Sequence, residues 1–360
     1  MVTGAAGFIG ARTCELLLEQ GHDVLGIDNL NDYYDVQLKQ HRLERLRSFQ
    51  ATSEIAGSGA DAKSQLPAAR GSGGCGDQPT QVGQRPAGTG TFTFQRLDIE
   101  DRAGIERLFA TQQIDAVINL AARAGVRYSI ENPHVYLATN TQGTLHLLEA
   151  MRAYRVKKFV LASTSSLYAG AVMPFREDAD ATRPLSPYAA SKLAAEALAH
   201  SYHHLFGVDV SVLRYFTVYG PAGRPDMSPF RFVKWIAEGT PIRLFGDGSQ
   251  TRDFTYIDDI ATGTIAALEP VGYQVINLGG GNHPLPMSRM IALLEQYLGI
   301  KAVIDHQPFH AADMRDTQAD IAKAQALLGW EPRVAPEEGL RRTVEWYLAN
   351  RAFVRTLKVD

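Results

Sequence analysis

Three glycines spaced by threes, Gly4, Gly7 and Gly10, stand between Val2-Thr3 and the helix-like run Ala11-Arg12-Thr13-Cys14-Glu15-Leu16-Leu17-Leu18-Glu19. This spacing constrains the fold more than any other feature. It suits a strand, a tight turn and a helix whose bare backbone lets a pyrophosphate approach the helix N-terminus. Alone, the pattern also fits an ordinary tight turn. Asp23-Val24-Leu25-Gly26-Ile27-Asp28 then supplies a short apolar strand ending in an acid about twenty residues on, where an adenosine ribose 2′-hydroxyl needs an acceptor. Asp28 would repel a 2′-phosphate, so NAD is expected rather than NADP. The central strand of such a sheet usually needs five or six residues, and only Met1-Val2-Thr3 precede the turn, so a start further upstream is expected.

Short apolar runs of buried parallel-strand type recur at Ala116 to Ala122, Lys158 to Ser163 and Val208 to Arg214, with amphipathic helices near Val135 to Tyr154 and Tyr188 to Phe206. The alternation predicts an α/β fold, a Rossmann-like doubly wound parallel sheet with helices on both faces. Residues 57–90 break it with nine Gly and three Pro, and are expected to be a disordered insertion of the tolerated surface kind.

The balance of 36 basic and 39 acidic residues argues against a nucleic-acid footprint, and no apolar run is long enough to span a membrane. Cys14 and Cys75 stand in unlike contexts, with neither a disulfide framework nor a zinc pattern. With no signal-peptide pattern, a reducing compartment, the cytoplasm, is expected. His22, His203 and His204 lack partners at metal-ligand spacing, so no metal is expected; Cys14 reads as a small core residue, and Tyr33-Tyr34 fits either the mouth of a cofactor or substrate cleft or ordinary packing and is left out of the site.

Ser186-Pro187-Tyr188-Ala189-Ala190-Ser191-Lys192 places a phenol and an ammonium at i and i+4 on one helix face. A lysine beside a phenol favours the phenolate, turning a group of pKa about 10 into a usable base. Such pairs also occur on solvated helix faces. The hydroxyl cluster Ser163-Thr164-Ser165-Ser166-Leu167-Tyr168, at the end of a preceding strand, adds weight because strand ends face the ligand crevice.

The glycine turn, Asp98-Ile99, Asn119-Leu120-Ala121-Ala122, the hydroxyl cluster, Tyr188-x-x-x-Lys192 and Arg214-Tyr215-Phe216-Thr217-Val218-Tyr219-Gly220-Pro221 together resemble the extended short-chain dehydrogenase/reductase family that acts on nucleotide sugars. The stretches Gly26 to Asp35, Ala124 to Pro133 and Gly223 to Met227 are most similar to its members that epimerise UDP-glucuronate at C4. The resemblance implies a homodimer through a bundle of the Val135 and Tyr188 helices. It implies NAD held by Gly4, Gly7, Phe8, Ile9, Gly10, Asp28, Asn29, Asp98, Ile99, Leu120, Ala121, Ala122, Asn140, Tyr188, Lys192 and Phe216. Tyr188 would be the base, Thr164 would orient the reacting hydroxyl, and Lys192 would tune Tyr188 and hold the nicotinamide ribose. Ser165, Ser166, Thr217 and Arg224 would hold a uronate carboxylate, with Arg252 and Asp313 toward the UDP. Relatives that dehydrate carry Asp-Glu after the threonine and those that decarboxylate carry Glu, whereas this chain has Ser165-Ser166. Thr217 stands where UDP-galactose epimerases usually have Asn, and Ala312 replaces a usual Gly beside Asp313. Residues 1–215 with 253–278 are expected to form the NAD-binding domain, and 216–252 with 279–350 a smaller α/β nucleotide-sugar domain. A UDP-glucose or other UDP-hexuronate epimerase, or a silent nucleotide-binding protein, are the alternatives.

Overall fold

The computed structural model describes residues 1–58, 90–281, 284–309 and 313–359. The expected disordered insertion, Cys75 within it and Ala312 lie outside the described residues, apart from the insertion's ends. Six strands, β1 (Val2–Thr3), β2 (Val24–Asp28), β3 (Phe92–Arg96), β4 (Ala116–Asn119), β5 (Lys158–Thr164) and β6 (Asp209–Tyr215), join Tyr273–Leu278 in one parallel sheet. From the edge strand Tyr273–Leu278 the order runs β6, β5, β4, β1, β2, β3. The chain reverses direction of winding between β1 and β4, the place where an open α/β sheet leaves a crevice at its strand ends.

All seven residues of β5 are buried, as expected of a strand covered on both faces. On one face pack α1 (Phe8–Glu19) and its neighbours through Cys14, Leu17 and Leu18; on the other lie Ile105, Leu147, Met151 and Ala199. β1 is only two residues long, yet Val2 pairs with both Gly26 and Ile118. The Thr3 hydroxyl extends this join, donating to Asn119 Oδ1 at 2.7 Å and accepting from the Ala121 N–H at 3.0 Å.

After β2 comes α2 (Val36–Ser58), and after β3, α3 (Arg102–Thr111). A short α4 (Val126–Glu131) precedes the helix expected near Val135 to Tyr154, which runs without interruption through α5 (Pro133–Tyr136), a π-helical stretch Leu137–Gly143 and α6 (Thr144–Ala153). Helix α7 (Pro187–Phe206) starts sharply because the Ser186 side chain caps the Ala189 N–H at 3.1 Å and Pro187 occupies the first turn. It ends at Gly207, whose φ of 64° is left-handed.

A smaller unit packs Phe230, Ile236, Leu244, Met290, Leu294, Leu340 and Tyr347 into its own core. Ala319, Ile321, Ala324 and Trp330 instead join the core of the large sheet, although they lie within the stretch expected to belong to the smaller unit. Among the described residues, no helix is long and apolar enough to cross a membrane, and no cluster of His, Cys, Asp and Glu could hold a metal ion.

Candidate active site

A cleft of about 1050 Å³ opens at the β1/β4 crossover and runs between the two units. At one end Gly4 adopts a left-handed φ of 68°, and a Cβ there would lie 2.8 Å from the Ala121 backbone nitrogen. A Cβ on Gly10 would overlap the Gly4 carbonyl oxygen, so helix α1 can sit this close to the turn only with glycine there. Gly7 provides no capping side chain, which leaves the first-turn N–H groups available to an anion. Asp28 is held by the Ala6 N–H at 3.2 Å and the Leu30 N–H at 2.8 Å, each oxygen keeping a further lone pair for a ribose hydroxyl. Asn29 donates to Asp98 at 2.6 Å beside it. The uncapped turn, the glycine cradle and the terminal acid together fit a dinucleotide.

Toward the middle of the cleft, Tyr188 projects from the first turn of α7 and meets Thr164 at the end of β5. Burial pushes the Tyr188 phenol up, while the Thr164 hydrogen bond and the Arg224 charge pull it back. One turn on, Lys192 is buried, and its Nζ donates to the Ala162 carbonyl at 2.8 Å with two further N–H bonds to give. Desolvation lowers Lys192 to about 8, opposed by the charge of Glu196 a turn below. Glu196 is itself locked by Arg214 at 3.0 and 2.7 Å and by the Ser163 hydroxyl at 2.5 Å.

Thr164 Oγ1 accepts the Ser166 N–H at 3.1 Å and so starts the turn Ser165–Tyr168, which presents Ser165 and Ser166 to the cleft. Phe216 and Thr217 line the cleft beside them. Arg224 reaches in from the smaller unit, gripped by Asp226 at 3.0 and 2.5 Å. Burial opposes its charge, but Asp226 outweighs burial and holds the guanidinium above its ordinary range. At the far end Arg252 donates to the carbonyls of Thr251 and Arg315, both at 2.8 Å. Burial, helped by the Arg127 charge, lowers its pKa against the opposing charges of Asp313 and Asp316. Asp313 is paired with Arg127 at 2.6 Å.

Asn140 is the one expected site residue that does not line the cleft. It lies on the π-helical stretch, where its amide takes the Arg123 N–H at 2.8 Å and gives to the Arg123 carbonyl and the Ser191 hydroxyl, both at 2.9 Å. Its position is a tie between the Ala122–Arg127 loop and α7. Tyr33 and Tyr34, for which the sequence left cleft lining and ordinary packing both open, do line the cleft. Tyr33 donates to the Ala124 carbonyl at 2.5 Å, and its ring lies 5.9 Å from both Arg123 and Arg224. Lys39 and Arg127 were also not singled out. Lys39 sits 3.8 Å from Asp28, and Arg127 lies 3.9 Å from the Phe245 ring centre while bridging the units. The signal for Lys39 was its place on the buried stripe of α2, next to Leu38 and before Leu43 and Leu46.

A family model described as the NAD dependent epimerase/dehydratase family matches residues 1–279, and the chain belongs to that family. It is 52% identical to a UDP-glucuronate 4-epimerase of Thermodesulfobacterium geofontis, over 100% of this chain and 99% of that protein. Among solved structures it is similar to the UDP-glucuronic acid 4-epimerase of Bacillus cereus in complex with UDP-glucuronic acid and NAD, with a TM-score of 0.80 and 35% identity over 97% of this chain and 98% of the other. The UDP-glucose 4-epimerase of Thermotoga maritima also matches, with a TM-score of 0.77 and 30% identity over 97% and 98% of the two chains.

Proposed function

We propose that this chain is an NAD-dependent isomerase that interconverts UDP-glucuronate and UDP-galacturonate at C4. The observation that carries the reading is the hydrogen bond between Tyr188 and Thr164 in the cleft, with Lys192 one helical turn on and a Ser165-Ser166 pair lining the same cleft. When bound, NAD supplies the acceptor for the C4 hydrogen and returns it, so that no net oxidation results. The chain's own task is proton handling and orientation. Tyr188, as phenolate, takes the proton of the C4 hydroxyl, and Thr164 shares that hydroxyl and fixes its direction. The Lys192 ammonium stabilises the phenolate and has two donors left for a ribose hydroxyl.

The 4-keto sugar that results has to present its other face before reduction. It is also a β-keto acid, and it loses carbon dioxide when its carboxylate bond aligns with the carbonyl π system. Ser165, Ser166 and Thr217 can hold that carboxylate by neutral hydrogen bonds, with Arg224 adding charge from the other side. No carboxylate occupies either serine position to act as a further acid or base. Asp28, Asn29 and the glycine turn would hold the dinucleotide, and Arg252 the diphosphate.

The division into an NAD unit and a nucleotide-sugar unit accords with this reading, as does a homodimer through the helices around Val135 and Tyr188. Purified protein given UDP-glucuronate should form UDP-galacturonate, seen by NMR, without pentose product, and UDP-glucose should turn over far more slowly. Tyr188→Phe should abolish turnover while NAD stays bound. Turnover of UDP-glucose alone would overturn the acid preference.

A further inference from the structure

Arg42 on α2 is 3% exposed and donates all five of its N–H bonds to neutral acceptors from three separate segments. Nε and one terminal nitrogen give to the Ala222 carbonyl at 3.1 and 2.7 Å, and the same terminal nitrogen gives to the Gly223 carbonyl at 3.1 Å. The other terminal nitrogen gives to the Ala6 carbonyl, in the glycine turn, at 3.2 Å and to the Tyr34 hydroxyl at 2.7 Å. The guanidinium is flanked by the rings of Tyr34 at 5.5 Å and Phe8 at 5.9 Å. One side chain therefore ties the nucleotide turn to the loop of the other unit that leads into Arg224.

That loop needs a tie. Ala222 has φ 53°, a left-handed conformation that an alanine keeps only when its surroundings hold it. Two residues on, Arg224 enters the cleft, 5.9 Å from the Tyr33 ring centre and close enough to Tyr188 to lower its pKa. Asp226 clamps the far end of the Arg224 side chain, whereas Arg42 clamps the backbone from which it starts. A lysine could reach one of these carbonyls but could not span both segments, because its ammonium lacks the planar fork.

We propose that Arg42 is a positioning residue for recognition of the uronate: by fixing the backbone of Ala222 and Gly223 against the glycine turn, it sets where the Arg224 guanidinium meets the sugar carboxylate. The inference rests on the reading of the cleft as a UDP-hexuronate site. It separates Arg42 from a general stabilising role, because an arm for the carboxylate matters to the acidic sugar and not to UDP alone.

The test uses NAD-loaded protein and compares wild type, Arg42→Lys, Arg224→Met and the double variant. Arg42→Lys is expected to raise the KM for UDP-glucuronate about tenfold while kcat changes less than about threefold, with UDP affinity and bound NAD within about twofold of wild type. The penalty should vanish in the Arg224→Met background, where the loop has no guanidinium to place. Equal weakening of UDP and UDP-glucuronate, an unchanged KM, or the same penalty with and without Arg224 would each overturn the proposal. Should Arg42→Lys not fold, Tyr34→Phe removes a single one of the five bonds. A rise of about threefold in KM for UDP-glucuronate, with UDP unaffected, then supports the strut, and no rise or an equal rise for UDP overturns it. Wild-type turnover of UDP-glucuronate distinguishes the two levels: its absence removes the site reading and the strut together, whereas its presence with an unaltered variant removes the strut alone.

Discussion

In the proposed reaction Lys192 would serve the chemistry at the expense of the fold. Its ammonium is buried and lowered from the ordinary lysine value to about 8. A shift of that size corresponds to a cost of roughly 3 kcal/mol in holding the charge inside. Because the folded pKa is the lower one, the cost is complete below about pH 8 and fades as pH rises from there toward the unfolded value near 10.5. Lys192→Met therefore should raise the melting temperature at pH 7 by a few degrees, less what is lost by leaving the Ala162 carbonyl unpaired, and the gain should disappear near pH 10. Turnover should fall by at least about a hundredfold at pH 7, and the loss should shrink at higher pH, where Tyr188 ionises without help. Scanning calorimetry and initial rates across pH check both signs, and a destabilised but active variant would contradict the account. The Tyr188 and Lys192 pair was legible in the sequence because i, i+4 spacing is local. Glu196, which opposes the loss of charge on Lys192, was not, because its grip comes from Arg214 on a separate strand.

At the scale of elements, the nucleotide end depends on how closely α1 approaches the turn. Gly10→Ala would drive a methyl group into the Gly4 carbonyl, and Gly4 cannot retreat because it already packs against the Ala121 backbone. The displacement should cost about 1–3 kcal/mol and widen the turn. NAD retained through purification should drop at least about tenfold, measured as absorbance after acid release, and undiminished NAD content would show that the turn tolerates the shift. The strands were readable for a related reason: β5 is covered on both faces, so Phe159-Val160-Leu161-Ala162 appears as an unbroken apolar run, and β6 keeps Val210, Val212 and Leu213 while its buried Ser211 and Arg214 are hydrogen-bonded. The π-helical stretch was not readable. Nothing in Leu137-Ala138-Thr139-Asn140 marks the wider turn, and on it Asn140 is spent on Arg123 and Ser191. Arg42 was missed on similar grounds, since the Ala222 carbonyl that explains it lies 180 residues away along the chain.

At the scale of the whole molecule, α7, which carries Tyr188, and the π-helical stretch beside it leave an apolar face uncovered among the described residues. Leu137, Ala138, Leu145 and Leu198 line a shallow hollow between α7 and the π-helical stretch, and Leu137 is 50% exposed. Leu205 and Phe206 extend exposed apolar surface at the end of α7. Single exposed leucines are ordinary, but a contiguous patch on two adjacent helices is the surface a second copy can cover by packing the same helices across a two-fold axis. The proposed homodimer should sediment at twice the chain mass of 39.4 kDa. Leu137→Glu places one charge in each half of that interface and should shift the protein to the monomer mass. Leu137 does not line the cleft, so the variant should still retain NAD, but the helix that aims Tyr188 would lose its outer support. Turnover per chain should consequently fall several-fold while bound NAD is unchanged, and dilution of the wild type through its dissociation range should reproduce the same loss. A Leu137→Glu protein that remains dimeric would place the interface elsewhere, and a fully active monomer would show that Tyr188 needs no support from the partner.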